Sequence, residues 1–567
     1  MRKRDTVVTI AITAFLLRGT FYCVAQPLWE GFDEWSHYAY IEHLVTQGRL
    51  PSTTDSIAPA LQRALSLAPL APSAAENVTT ALTHDAFWRL TTDARRLREE
   101  ELKDPGITTP VMADGPGQLF IYEAQQPPLY YILLAFPYWS VRSCSYPAKV
   151  AALRMASLLI AVIGVYLCYR LARGVPASRH AATAIVLFLA AWPGLLVGIC
   201  RIGNDALALT LSTLFLLVSL RTSRRAPVMT DWILAGSILG LSLLTKPYLL
   251  ALVPVLPIIA AIQYYRQRNS RVIAGCAIAI IIALALSGWW YMRNWLATET
   301  LSGEQIDVAA AHFGIITKLA AIRSVQWYRV LDTAVSTHLW TGGWSFLTAR
   351  SWIYRAFELP GLTALIGLAL LARRTVRHAA HGRLQIGEAQ LGIAACAFLL
   401  FCMAMAYFAV VVYLTRGMSI ALGWHLYGIA GAEMVVLAGG CTGLYGLRRG
   451  AGIVAIMALF AAAFDGYSTN FIALPYYAGI ITHAPDGRLG AFHMNLIDGA
   501  AVRDIFQRLA INKPSGINAS VIAVLWTGYA CATLSLAVLA ILLLYRAFRA
   551  ILKTSFPTIS VAGQTTR

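Results

Sequence analysis

Residues Val272–Trp290 read VIAGCAIAIIIALALSGWW, an apolar run with Arg266, Arg268 and Arg271 before it and Tyr291-Met-Arg-Asn294 after it. A run of about twenty such residues crosses a hydrocarbon core of roughly 30 Å as a helix. Runs of the same kind recur along the chain, among them Ala181–Cys200 and Val521–Tyr545. The 567 residues are 58% hydrophobic and only 13% charged, with a mean hydropathy of +0.60. A soluble chain would carry about a quarter charged residues. The sequence therefore specifies an all-α polytopic membrane protein.

The net charge of +18 is not a nucleic-acid footprint. The basic residues stand in short clusters between apolar runs, which is how orientation in a bilayer is encoded. No basic stripe interleaved with aromatics occurs on a polar segment. The 9 cysteines are scattered, mostly inside apolar runs, with no CxxC or metal-finger spacing. Arg2-Lys3-Arg4 before an apolar run to Ala25 reads as a retained first helix, because further apolar runs follow a long polar loop.

Basic clusters mark cytoplasmic ends. They lie at Arg2–Arg4, Arg170/Arg173/Arg179, Arg221/Arg224/Arg225, Arg266/Arg268/Arg271, Arg373/Arg374/Arg377/Arg383, Arg448/Arg449 and Arg546/Arg549/Lys553. An even number of crossings must separate neighbouring clusters. The run Leu129–Val141, at about thirteen residues, is too short to cross and reads as a helix lying in the outer interface. The expectation is a bundle of about twelve spans with both termini cytoplasmic, in a plasma membrane. Every polar group between apolar runs then falls at the outer surface.

Those groups form recognisable passages. The first loop opens Gln26-Pro-Leu-Trp-Glu-Gly-Phe-Asp-Glu34 and closes with Tyr122-Glu-Ala-Gln-Gln-Pro-Pro-Leu-Tyr-Tyr131. Later turns carry Gly203-Asn-Asp-Ala-Leu207, Gly240-Leu-Ser-Leu-Leu-Thr-Lys-Pro247 and Trp289-Trp-Tyr-Met-Arg-Asn294. Asp33 and Glu34 alone could be helix-start acids. An acid pair held against an apolar interface is also placed to take a proton or hold a divalent ion. Arg154, Arg201, Lys246 and Arg293 sit where an anion at headgroup depth would meet them. An unpaired cation near hydrocarbon is expensive, and the alternative is snorkelling to headgroups. Arg18 interrupts the first helix, and Glu433 lies within the apolar run 419–446 without an evident role.

In their order along residues 1–295, these passages resemble the GT-C superfamily of glycosyltransferases, which includes protein O-mannosyltransferases and lipid A aminoarabinose transferases. The resemblance implies a GT-C-like bundle with a long first extracytoplasmic loop bearing interfacial helices. It implies transfer of a monosaccharide from a polyprenyl-phosphate carrier to a lipid, glycan or protein acceptor at the extracytoplasmic face, with inversion. Asp33 is implied as the base, Glu34 as its neighbour and alternate, and Glu123 as a second acid. Arg154, Arg201, Lys246 and Arg293 would meet the donor phosphate. Tyr122, Gln126, Asn204, Asp205, Trp340 and His425 would line the substrate. A divalent metal on Asp33 and Glu123 is left open. The partners implied are the bilayer, the lipid-linked donor and an acceptor the sequence does not identify.

The organisation expected is a catalytic core over 1–295 including the first loop (26–149), a second extracytoplasmic loop over 296–359, and a C-terminal membrane region over 360–567 with an outer loop at 466–518. Two other readings stand beside this one. A transporter or flippase of lipid-linked sugars would show internal repeats and midplane polar sites, and neither is evident. A non-catalytic membrane scaffold would have no need of Asp33.

Overall fold

The computed structural model describes residues 3–78, 80–107, 118–222, 228–492 and 499–555. Arg2, Arg224 and Arg225 of the basic clusters lie outside the described residues. The apolar runs fold as helices because a backbone in hydrocarbon must satisfy its own hydrogen bonds. Among the described residues ten helices are long and apolar enough to cross a membrane, and the pair Ala182–Ala191 and Pro193–Ile199 makes an eleventh if it is counted as one span. That pair bends by 63°, where Pro193 removes a backbone donor. Met229–Leu243, at 15 residues, occupies the place of the remaining expected span and is shorter than the others. Leu129–Val141 is a helix of 13 residues that leaves Phe136 and Trp139 exposed, as an interfacial helix would.

The described part of the first loop packs as a small unit of short helices, in which Pro69–Leu70 pairs in parallel with Leu82–Thr83. Its own core holds Trp29, Tyr38, Tyr40, Leu61, Leu65 and Leu102. Buried Glu30 ties this unit to the second loop. Its carboxylate meets His84 Nε2 at 3.0 Å and takes the Ser345 amide at 2.8 Å. Trp88 reaches the Tyr477 carbonyl at 3.1 Å, because the helix beginning at Leu447 continues past a π-helical turn, Thr469–Ala473, to Tyr477.

Two charges that the sequence left unexplained are paired inside the bundle. Arg18 meets Asp465 at 2.7 Å with both side chains fully buried, and Tyr22 and Tyr529 donate to the same carboxylate at 2.7 and 2.6 Å. Glu433 accepts from His338 Nε2 at 2.8 Å. Intramembrane ions persist where they are partnered in this way.

Candidate active site

Asp33 is the residue on which the site turns. Its backbone is left-handed, with φ 56°, a conformation that Asp and Asn tolerate better than other side chains with a Cβ. Its carbonyl accepts the amides of Ser36 and His37 at 3.0 and 3.1 Å and so starts the helix Glu34–Gln47. This turn sends the two adjacent acids in different directions. Gly31 permits it: a Cβ there would stand 2.6 Å from Arg201 Cβ.

Glu34 turns inward. Arg154 grips it with Nε at 2.7 Å and Nη2 at 2.6 Å, and the Ile202 amide adds a bond at 3.0 Å. The other Arg154 donors go to the carbonyls of Cys23, Gln26 and Pro27 at 3.1, 2.9 and 2.7 Å. The expectation that Arg154 meets a phosphate and that Glu34 is an alternate base is therefore corrected. Both are consumed in fastening the first loop to the helix Tyr146–Gly174. Arg293 also stands apart, donating to the Pro51 carbonyl at 2.8 Å and stacking over Trp290 at 4.4 Å. Trp340 packs in the bundle core against Phe464 at 6.1 Å, not beside Asp33.

The other predicted residues converge. Tyr122 donates to Asp33 at 2.8 Å. Lys246 and Arg201 both pair with Asp205, and Arg201 also donates to the Phe32 carbonyl. Lys246 is extended before Pro247, as a residue preceding proline must be, and this breaks the helical hairpin at the site. Asn204 donates to Gln126 Oε1 at 2.9 Å and to the Thr245 carbonyl at 3.1 Å. Lys246 stands over the Tyr248 ring at 5.8 Å, and His425 lies against the same ring at 4.7 Å.

Sequence reading missed Glu304. Gln126 donates to it at 2.7 Å, and it rides on a loop held by the Asn294 amide through the Ser302 carbonyl at 3.0 Å. A lone acid soon after Arg293-Asn294 was the only signal. The site is thus a recess: Glu123, Arg201, Asn204, Asp205 and Lys246 are buried, while Asp33, Tyr122, Tyr248, Glu304 and His425 are half-buried around them.

Asp33, Glu123 and Glu304 hold their protons more tightly than usual. Burial pushes Asp33 up, while Arg201, the Tyr122 hydroxyl and Lys246 pull it back. Burial and the charges of Asp33 and Glu304 push Glu123 well above the ordinary range. Glu304 is pushed up to about 7 by burial and by Asp307. Clustered acids of this kind share protons, one ionised beside another protonated. Glu123 Oε2 and His425 Nδ1 are buried without a partner, which is unusual for polar atoms in a finished core. Among the described residues no three His, Cys, Asp or Glu side chains group as a metal site.

Fold and site together define a polytopic all-α membrane protein with a recessed acid–base cluster beside two paired cations. Residues 147–291 match the model of a family described as dolichyl-phosphate-mannose-protein mannosyltransferase, so the GT-C resemblance holds in sequence over that stretch. No curated protein is similar to the chain in sequence. Among solved structures, the chain is similar to ArnT from Cupriavidus metallidurans bound to undecaprenyl phosphate, at 13% identity and TM-score 0.42 over 94% of this chain and 76% of that one. It is similar also to the archaeal oligosaccharyltransferase AglB from Archaeoglobus fulgidus, at 13% identity and TM-score 0.41 over 94% of this chain and 56% of that one. The chain thus spans little more than half of the archaeal protein.

Proposed function

We propose that this protein transfers a monosaccharide from a polyprenyl-phosphate carrier to a hydroxyl or amine acceptor, with inversion, at the extracytoplasmic face of a plasma membrane. Asp33 takes the acceptor's proton as the acceptor oxygen or nitrogen attacks the anomeric carbon. The bond from that carbon to the phosphate oxygen breaks, and its electron pair leaves with the phosphate. Lys246 and Arg201 stabilise the charge that develops there. Asp205 neutralises one of the two and fixes both, leaving a surplus positive charge for the phosphate. Glu123 and Glu304 share protons with Asp33 and orient sugar hydroxyls. On this reading residues 1–295 supply the chemistry, with Glu304 added from the second loop, and residues 360–567 complete the bundle.

The observation that carries the reading is Asp33, half-buried and hydrogen-bonded by Tyr122, within the field of Arg201 and Lys246. The test uses full-length protein with undecaprenyl-phosphate monosaccharides carrying radiolabelled sugars, and a membrane extract as the acceptor source. The expected result is release of undecaprenyl phosphate as label passes to the acceptor fraction. Label that stays on every carrier, in a protein that also fails to bind undecaprenyl phosphate, overturns the reading.

The shared protons give a pH prediction. A base with a raised pKa loses its ionised form as pH falls through that raised value. The acid limb of the rate should therefore lie above 3.8, the ordinary value for Asp. Glu304→Gln removes a negative charge that raises Glu123, whose proton is in turn coupled to the charge of Asp33. It should move the acid limb to lower pH, read from kcat/KM across pH. An unmoved limb would show that Glu304 is not electrostatically part of the site.

A further inference from the structure

Residues 315–324 in the second loop read IITKLAAIRS, with four large apolar side chains, two cations and no acid. They fold as the helix Ile315–Ser324. Ile315, Ile316, Leu319 and Ile322 recur at helical spacing and share one face. They are 70%, 80%, 58% and 41% exposed, so that face is not the one this helix packs on. Tyr328 and Leu331 on the next helix, Trp327–Leu339, are exposed as well. Large apolar side chains grouped on an exposed surface mark a place that meets a partner.

The packed face fixes the depth of the helix. Ala321 and Val325 pack with Ala409 and Val410, near the end of the span Ile386–Arg416. Lys318 Nζ stands over the Tyr407 ring at 5.8 Å. Leu399, Met403 and Tyr407 are exposed at intervals of about one helical turn along that span, a stripe that faces lipid where the span crosses the bilayer. Tyr407 ends the stripe at the level where aromatic side chains gather between hydrocarbon and water. Exposed Trp289 and Trp295 lie towards the same end of the span Arg271–Thr298. The exposed face of Ile315–Ser324 begins where the lipid-facing stripe ends.

We infer that Ile315–Ser324 lies in the membrane interface at the recess end of the bundle, with Ile315, Ile316, Leu319 and Ile322 among lipid acyl chains. Its 10 residues span about 15 Å by helical rise, too short to cross the bilayer and suited to lying in its plane. Acyl chains are the occupant because the face continues a lipid-facing surface. Lys318 and Arg323 complement anionic headgroups, which their long stems reach from an apolar setting. The segment leading into this helix carries Glu304, and Ile306 and Ala310 on it pack with Val411 and Val412. One wall of the recess is thereby anchored from the membrane side. This surface is separate from the chemistry proposed for Asp33 and does not rest on it.

The experiment reconstitutes the full-length protein in vesicles of phosphatidylcholine and phosphatidylglycerol that include a phosphatidylcholine with a diazirine in its acyl chain. Illumination labels what the chains touch, and mass spectrometry of peptides maps the label. In wild type, peptides covering 315–322 should be labelled as those covering 399–407 are, while the first-loop helix Thr92–Lys103 stays unlabelled. Ile316→Asp/Leu319→Asp should lose the label from 315–322 and keep it on 399–407. Both side chains are exposed, so the unfolding temperature of the double variant should match that of wild type. Wild-type peptides 315–322 labelled no more than Thr92–Lys103 overturn the inference, and so does full label on them in the double variant. A cross-link between the Lys318 side chains of two copies, found in place of lipid label, overturns it in favour of an interface between copies of this chain.

Discussion

Asp33→Asn is expected to cut sugar transfer by about 10²- to 10⁴-fold, the usual worth of a general base, while binding of undecaprenyl phosphate stays near the wild-type level. The substitution suits the site. Asn tolerates the left-handed backbone at this position as well as Asp does, and its amide oxygen can still accept the Tyr122 hydroxyl. The cations that would meet the phosphate remain paired with Asp205. The variant therefore separates proton transfer from binding and from folding. Donor turnover and donor binding are measured on one preparation. Normal turnover would remove Asp33 as the base and bring Glu123 forward. Loss of binding with the fold intact would give Asp33 a donor-holding role instead.

Arg154→Met should have its large effect on stability. Arg154 and Glu34 are 2% and 0% exposed, and removing one partner of such a pair leaves the other charge buried alone, at about 3–5 kcal/mol. The first loop should loosen, the unfolding temperature in detergent should fall, and donor binding should fall only as the folded fraction does. Adding Glu34→Gln removes the stranded charge and should recover part of the loss, a non-additivity expected of groups in contact. An Arg154→Met protein that is as stable as wild type but no longer binds undecaprenyl phosphate would restore a phosphate-binding role to Arg154.

Legibility from sequence differed between fold and site for physical reasons. Apolar length and basic clusters are additive along the chain, so the spans could be read residue by residue. Met229–Leu243 and the bend before Pro193 blur only the count. The recess draws on Asp33, Tyr122, Glu123, Asn204, Asp205 and Lys246, each embedded in a passage with its own local pattern. The direction of a side chain is not additive in this way. Nothing in Asp33-Glu34 announces that a left-handed residue will split the pair, so Glu34 and Arg154 read as chemistry although the structure uses them as fasteners. Glu304 was invisible for the opposite reason: it has no motif, and bonds from the distant Gln125, Gln126 and Asn294 bring its loop home. Trp340 was misplaced because an aromatic near a helix end looks the same whether it faces a site or the core.

The Arg18–Asp465 pair bears on how the protein is made. Ribosomal synthesis delivers the first helix long before Asp465, Tyr22's second partner Thr469, or Tyr529 exist in the membrane. Until then Arg18 is a lone cation among lipid tails, a state that insertion scales put at about 2.5–3.5 kcal/mol for a central position. The nascent chain thus carries its own marker of incompleteness, which disappears only when the last helices arrive to neutralise it. A chain that stalls or is cut before residue 465 keeps the marker on display.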